Sequence, residues 1–503
     1  MSLTQLTTRA QEGVAAPEVQ VEAHISNGLP AFNMVGLPET AVRESRDRVR
    51  SAIINSGFKF PSRRITINLA PANLPKDGGR YDLAIALGIL AASKQIDAST
   101  LTHFDCYGEL ALSGECRSVD SLLPALIASK QAHKQIIIPQ KNQAEAALVR
   151  GASIYGCNSL VEVCASLNGG QPLPRIESCE TFTEAEFEFD LCEVYGQHQA
   201  RRALEIAACG SHHMIMMGPP GTGKSMLAQR LNTILPPMSE AEALSSASIR
   251  SISNKPVNSG NWLQRPFQSP HHTTSAVALV GGGSNPKPGE ISLAHNGVLF
   301  LDELTEFDRK SIEVLREPLE TGKIHISRAS HQAEFPAAFQ LIAAMNPCPG
   351  GCESILKCSC SVEQLNRYRN KLSAPLMDRI DIQIELPRLE HAELINNKHR
   401  QQETSEQVRA RVIQTRERQL RRQGCLNAKL GNQQIEQFCA LDRDAERILI
   451  ASIDKLKLTA RSYHKVLRLA RSIADMANEI NILPPHLAEA IAYRQQDRRW
   501  SQG

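Results

Sequence analysis

The octapeptide Gly218-Pro219-Pro220-Gly221-Thr222-Gly223-Lys224-Ser225 constrains this chain more than any other stretch. It fits G-x-x-x-x-G-K-[ST], a loop whose backbone N–H groups turn inward around phosphate oxygens. The apolar run Met214–Met217 before it reads as a buried strand, and Met226–Leu231 after it reads as a helix. That strand–loop–helix context argues against a chance Gly/Pro loop. The helix N-terminus adds the positive end of its dipole. Lys224 offers a point charge to the β- and γ-phosphates, and the Ser225 hydroxyl offers an oxygen ligand to Mg²⁺.

A chain of 503 residues has room for about three domains. With 42% hydrophobic and 22% charged residues it reads as an ordinary globular protein. A net charge of +3 supplies no global basic field, so any contact with nucleic acid has to come from local charge. The segment Met1–Thr7 lacks a basic stretch followed by an apolar one, and no run approaches ~18 uninterrupted apolar residues. The expectation is a cytoplasmic protein without membrane contact, its 13 cysteines mostly reduced core thiols.

Periodicity predicts an α/β block over residues 1–170: strands at Val19–Ile25, Arg64–Leu69 and Gln135–Pro139, and helices at Glu39–Ser56 and Tyr81–Ala92. Residues 171–186 read as a linker, 187–388 as the α/β core that carries the phosphate loop, and 389–503 as helical. In the last block, helices are expected at Ala392–Leu420, Arg443–Leu456 and Tyr463–Asn478.

Hydrolysis needs more than a cradle. Gly297-Val-Leu-Phe-Leu-Asp302-Glu303 is an apolar strand ending in two carboxylates. Asp302 is placed to bind Mg²⁺ through water, and Glu303 to polarise the attacking water. Phe339–Asn346 is a second buried strand ending in a polar residue, where ligands of a parallel sheet gather. Asn346 is therefore a candidate for the γ-phosphate or the attacking water, or simply an Asn opening a turn before Pro347. Arg379 stands between Asp378 and Asp381, either as a surface ion pair or, in a ring, as a finger reaching a neighbour's γ-phosphate. Cys348, Cys352, Cys358 and Cys360 place four thiols in 13 positions, as C-x₃-C and C-x-C. They are candidate ligands for a tetrahedral structural Zn²⁺, or free thiols of a loop.

Further segments make a family resemblance specific along nearly the whole chain: Ser26–Pro30, Val35–Pro38, Glu44–Arg50, Asn68–Pro71, Asp82–Leu87, Ser269–Thr273, Gly281–Gly283, Pro288–Ile291, Ala294–Gly297, Arg461–His464 and Arg468. The chain resembles the magnesium-chelatase-like AAA+ ATPases of the ComM/YifB family. The resemblance implies ATP and Mg²⁺ as cofactors and a homo-hexamer with ATP at subunit interfaces. It implies Walker A at Gly218–Ser225, Walker B at Asp302 and Glu303, sensor 1 at Asn346 and an arginine finger at Arg379. Arg461 resembles the sensor-2 arginine of a helical lid, with Arg468 as second choice, and Gln197 an adenine neighbour.

The first block is similar to the Lon-protease-like, ribosomal S5-type fold. Arg80 stands where the protease serine would be and Ala125 where its lysine would be, so this domain is expected not to cut peptides. Lys287, Lys323 and Arg328, on the insert loop and on the hairpin before sensor 1, are the implied DNA contacts. At the Cys-Pro-Cys usual in the family, this chain has Cys348-Pro-Gly350, with Cys352 two residues later. By resemblance the protein is a hexameric ATP-driven helicase acting on single-stranded and branched DNA, promoting branch migration in natural transformation. The alternatives are the ATPase subunit of a metal chelatase and a protein-remodelling AAA+ ATPase.

Overall fold

The computed structural model describes residues 2–36, 40–178, 187–255, 262–283, 286–327, 332–352, 358–388, 402–456 and 460–494. They form two compact units. One comprises Met1–Glu184 with Ala243–Trp262 and Ala329–Phe335; the other comprises Ala185–Glu242, Leu263–Arg328 and Pro336–Gly503.

The first unit is built on a seven-stranded mixed sheet. Its strands are β1 (Ser2–Arg9), β2 (Glu18–Ser26), β3 (Ala31–Val35), β4 (Arg64–Ala70), β5 (Phe104–Cys106), β6 (Gln135–Pro139) and β7 (Ile154–Cys157), in the order β3-β4-β2-β1-β5-β6-β7. β2 alternates, burying Val19, Val21, Ala23 and Ile25. A helix, Asp82–Ala92, is buried on every side and packs against β1 and β2. Its first residue, Asp82, is held by Arg48, whose Nε donates to Oδ2 at 2.9 Å. Sequence periodicity gave no sign of β1, yet β1 lies inside the sheet between β2 and β5. The reason is that β1 buries threonines, Thr4 and Thr8, which read as solvent-facing in a polarity pattern.

At the two protease-like positions, Arg80 is buried and its guanidinium donates to the Asp120 carbonyl at 2.9 Å and to Gln11 Oε1 at 3.3 Å. Ala125 is buried in the helix Leu123–Gln131. Neither side chain is a nucleophile or a base.

The second unit holds a five-stranded parallel sheet: β8 (Met214–Met217), β9 (Phe267–Gln268), β10 (Val298–Leu301), β11 (Gln340–Met345) and β12 (Ile382–Glu385), in the order β9-β10-β11-β8-β12. β8, β10 and β11 are buried along their whole length, as expected of parallel strands covered on both faces. The helices His198–Gly210 and Lys224–Ile234 pack with Ser405–Gln423 around a shared apolar core, so the C-terminal helices continue the unit that carries the phosphate loop. Of the stretch Ala392–Leu420, the described part holds a helix Ser405–Gln423, entered through a capping box of Thr404 and Gln407 and closed by Gly424 at φ 73°. Residues 389–401 and the linker positions 179–186 lie outside the described residues. No helix among the described residues is long and apolar enough to cross a membrane.

Candidate nucleotide site

The register of the parallel sheet assembles the site. Met217, the last residue of β8, pairs with Met345 at the end of β11, and Leu301 of β10 pairs with Ala343. The residues that follow these strands, Gly218, Asn346 and Asp302, therefore emerge side by side at the carboxyl edge of the sheet. Gly218 N–H closes the arrangement by donating to the Met345 carbonyl at 3.2 Å.

Within the loop, Gly221 and Gly223 have φ of 79° and 86°, and a Cβ at either would meet nothing within 4 Å. The loop is thus a left-handed cradle with open space inside it. Lys224 begins the helix Lys224–Ile234 and its ammonium curls back over the cradle. It donates to Gly218 O at 2.7 Å, Pro219 O at 3.0 Å and Asn346 Oδ1 at 3.2 Å. Burial lowers the Lys224 pKa, and the charges of Asp302 and Glu303 oppose that shift. Thr222 Oγ1 donates to Pro219 O at 3.0 Å and braces the turn.

Ser225 Oγ lies 2.5 Å from Asp302 Oδ2. A hydroxyl and a carboxylate in contact are hard oxygen donors, the type Mg²⁺ takes, so the residues present fit that ion. Glu303 occupies the left-handed region, φ 51°, with its N–H on Asp302 Oδ1 at 2.9 Å. This strained backbone turns the carboxylate out of the strand and leaves it 54% exposed. His272 Nδ1 is 3.2 Å from Glu303 Oε2. The sequence singled out Ser269–Thr273 only as a segment of the family resemblance. The missed signal was that this segment follows β9, a strand of the same parallel sheet whose carboxyl edge carries Glu303.

Asn346 is held twice: its side chain accepts from Lys224, and its carbonyl accepts from Tyr368 Oη at 2.9 Å. Two residues later begins the cysteine group. The Sγ atoms of Cys348, Cys352, Cys358 and Cys360 all lie within 4.8 Å of one another.

The three arginines are gathered elsewhere. Arg379, Arg461 and Arg468 line a cleft of about 1020 Å³ together with Asp378, Asp381 and Lys465. Asp381 precedes β12 and accepts from the N–H of His213, which precedes β8, so this cleft lies at the amino ends of the strands. The phosphate cradle lies at the carboxyl ends, about 10 Å or more away along a four-residue strand. Arg379 is nearly buried and pairs with Glu320. Arg461 is 70% exposed, 3.8 Å from Asp378. Nε of Arg379 and Nε of Arg468 are buried without a hydrogen-bond partner among the described residues. Gln197 donates its amide to the Pro387 carbonyl at 2.9 Å. Lys287 and Lys323 are exposed at the starts of short strands, and Lys323 borders the arginine cleft; Arg328 lies outside the described residues.

A phosphate cradle, an acidic strand end and a polar strand end on this parallel sheet define a P-loop ATPase of the AAA+ class. Models described as magnesium chelatase subunit ChlI match residues 190–394 and 21–142, and one for its C-terminal region matches 402–494. The chain is 49% identical to the competence protein ComM of Haemophilus influenzae, over 99% of this chain and 98% of that protein. It is 48% identical to YifB of Escherichia coli over the same shares. Lon protease 2 of Bacillus subtilis is 24% identical over 33% of the chain and 34% of its own length. The chain belongs to the ComM/YifB family of magnesium-chelatase-like AAA+ ATPases.

Proposed function

We propose that the chain is one protomer of a hexameric ATP-driven ring that moves branched DNA, promoting branch migration during natural transformation. The observation that carries the ring is the split between the two functional groups of residues. Lys224, Ser225, Asp302, Glu303 and Asn346 converge at one end of the sheet, while Arg379, Arg461 and Arg468 converge at the other. A protomer whose arginines cannot reach its own cradle offers them to the nucleotide of a neighbour. Arg461, 70% exposed at that end, is open to an incoming anion.

In this reading Lys224 and the loop N–H groups bind the ATP phosphates. Ser225 and Asp302 would hold Mg²⁺, which supplies charge neutralisation on the phosphates when bound. Glu303 accepts the proton of the attacking water, and His272 positions its carboxylate. Asn346 orients the water or the γ-phosphate, and the neighbour's arginines meet the charge that develops in the transition state. Work on DNA rests on the family resemblance, and the exposed Lys287 and Lys323 support it by offering phosphate contacts.

The ring has a direct test. Lys224→Ala and Arg379→Ala are each expected to be inactive alone. Mixed, they should regain ATP turnover, because an intact cradle then faces an intact arginine across some interfaces. No regain on mixing, with both variants shown to assemble, would sink the shared site. A labelled four-strand junction with ATP tests the DNA step, and strand exchange that survives Glu303→Gln would refute a motor. The second reading, an ATPase subunit of a metal chelatase, is favoured by the family models that match. ATPase indifferent to single-stranded, duplex and forked DNA over a salt series would turn the balance toward it.

A further inference from the structure

Beyond the nucleotide residues, the second unit carries a group of side chains that ATP chemistry does not use. Cys348 is buried, and Cys352, Cys358 and Cys360 are half-buried. Their four sulfurs lie within 4.8 Å of one another. A tetrahedral ion with Zn–S of about 2.3 Å needs sulfurs about 3.8 Å apart, so only small adjustments separate this group from a complete shell. Four thiols around one point are expensive to assemble without something that binds them, because each gives up rotamer freedom for a weak S–H contact.

The surrounding backbone is shaped for sulfur. Cys352 N–H points at Cys348 Sγ at 3.2 Å, the kind of outer-shell donor that stabilises a metal thiolate. Gly351 takes φ 63° to make the turn, and a Cβ at Gly350 would sit 3.0 Å from Cys360 Sγ. The chain is drawn close around the sulfurs where a side chain would crowd them.

The location gives the group its consequence. Cys348 follows Asn346-Pro347 directly, and Cys360 leads into Ser361, the cap of the helix Val362–Arg369. That helix returns Tyr368 to the Asn346 carbonyl at 2.9 Å. On the other side, a Cβ at Gly351 would lie 3.2 Å from the ring of Pro220 in the phosphate loop. The cysteine turn is thus wedged between the cradle and the Asn346 turn.

We propose that Cys348, Cys352, Cys358 and Cys360 bind one zinc ion as a tetrathiolate, and that this ion fixes Asn346 in place against the phosphate loop. The four thiols release their protons on binding and no electron changes hands. A single ion is favoured over an iron–sulfur cluster because the sulfurs converge on one point.

The test uses the full chain purified without chelator. Metal analysis should find about one zinc per chain, and Cys358→Ser and Cys360→Ser should each lose it. Cys425→Ser, outside the group, should keep it. Independently of any variant, cobalt exchanged into the unmodified chain should show the ligand-field bands of a tetrahedral thiolate. ATP turnover of the metal-free chain should fall about 10²-fold, the loss that accompanies a misplacement of about 1 Å. Zinc far below one per chain, iron in its place, or full zinc in both serine variants would overturn the site. Zinc that can be removed with turnover intact would overturn its positioning of Asn346. None of these outcomes depends on whether the ring acts on DNA.

Discussion

Replacing Glu303 by Gln removes one negative charge and keeps the side chain's shape. Its carboxylate is 54% exposed and faces His272, itself 33% exposed, so no buried partner is stranded by the change. The strained backbone at φ 51° is set by the Asp302 carboxylate and by the turn, neither of which the substitution touches. Folding stability should therefore move by no more than about 0.5 kcal/mol. In the proposed site, phosphate binding falls to Lys224, Ser225 and the loop N–H groups, which the substitution leaves in place, so ATP affinity should stay within about threefold of the original, under ~0.7 kcal/mol. Turnover should fall about 10²- to 10⁴-fold, the worth of a positioned general base. That is about 3–5 kcal/mol on the barrier at 1.36 kcal/mol per decade. The assay pairs a steady-state phosphate-release rate with equilibrium binding of a fluorescent ATP analogue. A Gln variant that keeps more than about a tenth of the turnover would refute Glu303 as the base, since the expected loss starts a decade lower. A variant that loses ATP binding would show that the carboxylate supports the cradle instead.

His272→Ala should lower turnover without changing ATP affinity, and its effect should vanish in the Glu303→Gln background; additive losses would mean the 3.2 Å contact positions nothing. Lys465 Nζ lies 2.9 Å from the buried Asp381, so Lys465→Met should destabilise the second unit by about 3 kcal/mol in denaturant unfolding. Replacing both, as Lys465→Met with Asp381→Leu, should recover part of that loss, because no unpaired charge is then left inside. His295 accepts the Ala338 N–H at 3.0 Å through Nδ1, and burial pushes its pKa down to about 4. The folded chain keeps it neutral while the unfolded chain protonates near 6.5, so stability falls through the window from 6.5 to 4 as the pH drops. Between pH 7 and 5 this group should remove about 2 kcal/mol, and His295→Gln should flatten that part of the unfolding profile.

The sequence by itself determined the parts of this protein whose chemistry is local. Gly218–Ser225 fixes its own cradle, because glycine alone takes φ near +80° without penalty and the next residues are good helix formers. The apolar runs of β8 and β10, and that of β11 after Gln340, announce buried parallel strands, and the residue after each strand is an obvious candidate. Arg80 and Ala125 already spoke against peptide cleavage, because neither side chain is a nucleophile or a base. Other features needed contacts between residues far apart in the chain. That Asn346 receives the Lys224 ammonium, and that His272 faces Glu303, depend on strand register and order, which no local pattern encodes. Strand β1 stayed hidden because its buried threonines look exposed by polarity alone. The position of Arg461 was the least legible of all. Its helix carries it to the amino ends of the strands beside Arg379, away from the cradle of its own chain. A helix pattern gives a residue its face, and only packing decides which end of the sheet that face meets.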